Sequence, residues 1–150
     1  TKDVELLRDI YKLAGMKILQ FAFDGNENNP YLPKNIYGDN WVVYTGTHDN
    51  ATSVTWWDNL DNHTKNNIKH NYGFSEHPSW NLIEIGMKSQ AKLFISPIQD
   101  ILSLDDSCRL NTPGTITNNW RWKLNQTLDE IDLNLKKYSD LGNSYGRISY

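Results

Sequence analysis

An imidazole, a carboxylate and an amide stand side by side in His48, Asp49 and Asn50, directly behind the apolar run 41–45 and a glycine, Gly46. An imidazole and a carboxylate can balance or move a proton and can bind polar substrates. The run 41–45 is rich in β-branched and aromatic residues, which predicts a short strand buried on both faces, as parallel strands are. Gly46 then lets the backbone turn or come close to a ligand. His48 and Asp49 are therefore expected at the carboxyl end of a strand, where parallel α/β folds place their chemistry. A structural alternative stands beside this one: Asp49 or Asn50 simply caps the helix that follows, since both types are favoured N-caps.

The elements around this stretch follow from periodicity. Residues 3–14 place Val4, Leu7, Ile10 and Ala14 at helical spacing, with Asp3 as cap and Gly15 as stop, a surface helix. Residues 16–23 form a nearly continuous apolar run, read as a buried strand that ends in a loop from Asp24 to Asp39. Residues 51–60 and 78–90 read as helices, the second with Trp80, Ile83 and Met87 on one face. Residues 91–96 make a third strand, closed by Pro97, Gln99 and Asp100, with Asp100 read as a turn residue. Residues 109–122 form a loop carrying Asn111 and Gly114. Thr127 and Glu130 spell a capping box for a last helix, with Leu128, Ile131, Leu135 and Tyr138 inward and Gly142 at its end. Strands alternating with helices, with no repeat and no linker, define an α/β order.

Composition narrows the function. The 150 residues carry a net charge of −3, with 38% hydrophobic and 12% aromatic content, a globular composition. No apolar run approaches the roughly 20 residues of a membrane span. No basic block offers nucleic acid a footprint. Trp and Tyr are plentiful, and their flat amphipathic rings suit sugar faces as well as cores; Trp56 and Trp57 are read as packing. The single Cys108 excludes an internal disulfide and is read as a small idle or buried thiol. His63, His70 and His77 recur every seven residues, which does not match helical ligand spacing, so no metal site is expected. Sequons occur at Asn50, Asn62 and Asn125; a glycan on Asn50 would obstruct Asp49, which points away from a glycosylating route.

Three ordered blocks carry a resemblance: Met16-Lys-Ile-Leu-Gln-Phe-Ala-Phe-Asp-Gly25, Tyr44-Thr-Gly-Thr-His-Asp-Asn50 and Arg109-Leu-Asn-Thr-Pro-Gly-Thr115, with Asn119-Trp-Arg-Trp122 after them. Together they resemble the amylomaltases, the 4-alpha-glucanotransferases or disproportionating enzymes of glycoside hydrolase family 77. The resemblance implies a (β/α)8 TIM barrel, of which this chain is the C-terminal portion, about strands six to eight, with residues 1–150 part of one catalytic barrel and no separate second domain. A whole barrel needs about 250 residues. It implies transfer of α-1,4-glucan segments to glucose or maltooligosaccharide acceptors by a retaining mechanism, without cofactor or metal. Asp49 would be the transition-state-stabilising carboxylate, and His48, Asn111 and Phe21 would contact substrate. Phe21 read from its place in the strand could equally be a core aromatic. The nucleophilic Asp and the acid/base Glu of the family lie upstream of Thr1, so the upstream part of the barrel is needed for a complete site. Lys34 stands where the family usually has His, and Ala51 where it more often has Asp. A cytoplasmic location is implied, or a plastid in a plant or alga. The competing expectation is a noncatalytic glucan-binding or regulatory remnant.

Overall fold

The structure, a computed structural model, describes residues 2–147. Strands β1 (Gly15–Ile18), β2 (Trp41–Tyr44) and β3 (Leu93–Ile95) form one sheet in the order β1-β2-β3. Both pairings are parallel, with Met16 beside Val42 and Val42 beside Leu93. Between and around them run helices α1 (Lys2–Ile10), α2 (Ser53–Asp58), α3 (Asn62–Tyr72), α4 (Pro78–Lys88), α5 (Ile98–Ile101) and α6 (Leu128–Ser144). The α/β order read from periodicity is the observed one. Among the described residues no helix is long and apolar enough to cross a membrane.

One face of the sheet is covered. Val43 of β2 lies in the larger core cluster with Leu19, Phe23, Trp57, Phe74 and Leu82. A second cluster gathers Trp80, Ile83 and Met87, the α4 face expected from spacing, with Ile101 and the flanking Tyr138 and Leu141. Phe94 of β3 packs against both. The opposite face is not covered within the described residues: Met16, Leu93 and Ile95 are 55%, 53% and 43% exposed. Burial on both faces, expected from the strand composition, is met on one side only.

Several boundaries differ from expectation. The apolar run 16–23 is not one strand; β1 stops at Ile18 and Leu19–Phe21 forms a 3-10 turn closed by Ala22 N–H to Leu19 O at 2.9 Å. A continuous apolar run has no period, and the turn sends Leu19, Ala22 and Phe23 into the core. Helix α1 ends at Ile10 rather than Ala14, and Lys12, at φ 52°, takes the left-handed stop assigned to Gly15. Asp3 lies inside that helix. Gly15 instead opens β1, where a side chain would strike the Trp41 ring. Helix α6 has the expected capping box at Thr127 and Glu130, but it runs through Gly142 to Ser144. Ile131 is buried in it and Tyr138 partly so, whereas Leu128 and Leu135, also expected inward, are exposed.

Candidate active site

The segment after β2 is built as a tight loop. Asn50 Oδ1 accepts from Thr47 N at 2.9 Å and Thr47 Oγ1 at 2.7 Å, and Asn50 N–H donates to Thr47 O. Asn50 thus braces its own loop, as Asx residues do in turns. The cap of α2 is Thr52, whose side chain accepts from Thr55 N. Neither Asp49 nor Asn50 caps that helix, so the structural alternative fails. Gly46 is needed for a close approach: a Cβ there would lie 2.7 Å from Gln20 Nε2, which passes to donate to Ala51 O at 2.9 Å. The end of β1 therefore anchors the loop after β2.

The loop presents its two charge-bearing residues outward. Asp49 Oδ1 accepts from Asn111 Nδ2 at 2.6 Å and lies 3.2 Å from His48 Nε2. The side chains of His48 and Asp49 are each 49% exposed. Asp49 Oδ2 has no side-chain or backbone partner among the described residues, so one carboxylate oxygen is held while the other remains open to a ligand hydroxyl. The His48 ring lies 4.9 Å from that of Trp120. Asn111 N–H also donates to His48 O, binding the two loops by backbone as well as side chain.

Two further residues hold this arrangement. Arg109 donates to Asp49 O at 2.6 Å, Asn111 O at 2.9 Å and Asp106 Oδ2 at 3.3 Å. Asp106 Oδ1 in turn accepts from Thr52 N. A single planar guanidinium thereby ties the loop after β2 to the loop after α5. Beneath them Asp100 is buried and accepts from Thr45 Oγ1 at 2.5 Å, Ser53 N at 2.8 Å and Ser53 Oγ at 2.8 Å. Burial pushes its carboxyl above the ordinary value, opposed by the hydrogen bonds from Thr45 and Ser53. Asp100 was expected as a turn residue; it lies in α5 and pins both ends of the 45–53 loop. Its place directly after the third strand was the available signal, and the motif holding Asn111 already contained Arg109.

The structure brings His48, Asp49 and Asn111 together, although Asp49 and Asn111 are 62 positions apart in the chain. A cleft of about 100 Å³ lies beside them, lined by His48, Gln99, Asp100 and Arg109. Asp49 and Asn111 do not line that cleft; they meet on the open surface beside it. Phe21 stands apart at the end of β1, 49% exposed and edge-on to Tyr31 at 5.7 Å. It is not a core aromatic. Lys34 is paired with Glu27 at 3.1 Å, Cys108 is a partly buried free thiol, and Trp57 is buried, as expected of packing. Among the described residues no group of three or more His, Cys, Asp or Glu could hold a metal.

A parallel sheet with an imidazole and a half-satisfied carboxylate at the carboxyl end of its central strand is the arrangement of an α/β enzyme. The family model for 4-alpha-glucanotransferase matches residues 1–129. The 4-alpha-glucanotransferase of Synechocystis is 42% identical over 100% of this chain and 30% of its own length; that of Thermus thermophilus is 43% identical over 83% and 26%. The solved amylomaltase from Streptococcus agalactiae in complex with acarbose, a TIM-barrel enzyme, superposes with a TM-score of 0.91 at 25% identity, covering 99% of this chain and 30% of that one. This chain belongs to the 4-alpha-glucanotransferase family. It spans about 30% of the length of the Synechocystis relative.

Proposed function

We propose that this chain forms the part of a 4-alpha-glucanotransferase barrel that carries strands six to eight and the transition-state-stabilising carboxylate. The observation that supports this best is Asp49: one oxygen is fixed by Asn111 at 2.6 Å and the other is open, at the carboxyl end of a parallel sheet. Residues 1–150 then belong to one catalytic barrel, with the nucleophile and the general acid/base contributed by the upstream part. In a retaining transfer the glycosyl-enzyme is intercepted by a hydroxyl of another glucan. Asp49 acts where positive charge develops on the reacting glucose, through hydroxyl contacts and its own charge. His48 hydrogen-bonds the same ring. Asn111 orients Asp49 with its amide N–H and offers its carbonyl oxygen to sugar, and exposed Phe21 supplies an aromatic face. The substrates are α-1,4-glucans and maltooligosaccharides, with no cofactor, in the cytoplasm or a plastid.

The test replaces the matching segment of the Synechocystis relative with this chain and compares it with Asp49→Asn. Asn keeps the shape and an acceptor for Asn111 but loses the charge. The kcat for maltotriose disproportionation should fall by about 10² to 10³, with a smaller change in KM. A normally folded variant with near-normal kcat would return Asp49 to a structural role.

A further inference from the structure

We propose that the groove between the segment after β1 and helix α3 is a second, noncatalytic binding site for an α-1,4-glucan chain. The ligand class rests on the glucanotransferase reading; the groove itself rests on geometry. Its volume is about 530 Å³, within the range of roughly 300–1,000 Å³ typical of small-molecule sites. Its floor holds the partly exposed Tyr72 ring, backed by the buried Phe23, edge-on to it at 5.0 Å, and by Ile68. The α3 wall presents Asn67 and Asn71, one turn apart and both exposed. Asn71 has no side-chain partner among the described residues, and Asn67 contacts only His63, at 3.1 Å.

This combination selects a neutral, hydroxyl-rich ligand. Each amide both donates and accepts, as a sugar's hydroxyls do, and the Tyr72 ring offers an aromatic surface to the sugar's C–H face. An anion is disfavoured, because Lys34 is already engaged by Glu27 at 3.1 Å and Asp24 adds a second negative charge to the lining. Phe23 and Asp24 follow β1 as His48 and Asp49 follow β2, so the groove and the candidate active site lie at the same end of the sheet.

The experiment is hydrogen–deuterium exchange, read by mass spectrometry, of the Synechocystis relative carrying this chain in place of its matching segment, with and without maltoheptaose. Protection is expected in peptides covering 22–27 and 62–72 as well as 47–50 and 110–112. The double variant Asn67→Leu with Asn71→Leu changes two exposed helix positions to a good helix former, so α3 is retained. It should weaken the sugar-dependent protection at 22–27 and 62–72 at least tenfold in midpoint concentration, leaving that at 47–50 and 110–112. Protection at 47–50 and 110–112 alone, or protection at the groove that the double variant does not weaken, overturns the second site while sparing the glucanotransferase reading. Protection at the groove alone has the reverse meaning. Protection nowhere overturns both.

Discussion

Asp49 and Asp100 have the same side chain and opposite surroundings. Asp49 is half exposed beside His48, whereas Asp100 is buried among the hydroxyls of Thr45 and Ser53. Burial raises the Asp100 carboxyl above its ordinary value, so the fold binds this proton more readily than the unfolded chain does. Its contribution to stability is then fully present below about pH 4, the unfolded value, and is lost as pH rises through the raised folded value. Asp100→Asn removes this titration. The stability difference, wild type minus variant, from urea unfolding across that range, should therefore decline from acid toward neutral pH. A difference that grows with pH would mean that the hydrogen bonds outweigh burial. Asp100→Ala strips the acceptor from three buried donors and should cost about 1–3 kcal/mol for each one left unpaired, in addition to the pH-dependent part. Neither property of Asp100 was readable locally, since its partners lie 47 and 55 positions away.

At the scale of elements, α4 was legible because a stripe of apolar residues at helical spacing must face a core, and α6 was legible by its capping box, its expected inward stripe being met at Ile131 and in part at Tyr138. Their glycines were not. Gly15 and Gly142 both read as stops, yet one sits in a strand and the other inside a helix. Gly86 shows why such positions mislead: it lies within α4, where an added methyl would collide with the Phe94 ring. Gly86→Ala should gain about 1 kcal/mol in helix propensity. It should lose about 1–3 kcal/mol to overpacking against a ring held by both core clusters. The net expectation is a lower Tm in thermal unfolding; a higher Tm would show that Phe94 swings aside freely. Thr127→Ala tests a legible feature, and loss of this cap should cost about 1 kcal/mol, read in the same melts.

Over the whole molecule, the apolar surface points to incompleteness. Met16, Leu93 and Ile95 share one bare sheet face, and Val4, Leu6, Leu7 and Ile10 of α1 are all exposed. Apolar surface of this extent favours association. By itself the chain should sediment as oligomers, and Leu93→Lys with Ile95→Thr should shift it toward monomer in sedimentation velocity. A wild-type chain that sediments as a monomer would show that this face is tolerated in water. The sequence by itself determined the strand-and-helix order, the capping box and the place of His48 and Asp49 behind β2, because these depend on local composition and short-range periodicity. Resemblance in three ordered blocks was enough to point to the family. Only the tertiary structure decided that Asn111 grips Asp49, that Arg109 joins the two loops and that Asp100 lies beneath them. Such pairings depend on which distant loops the parallel sheet brings to one end, and local side-chain patterning does not encode that.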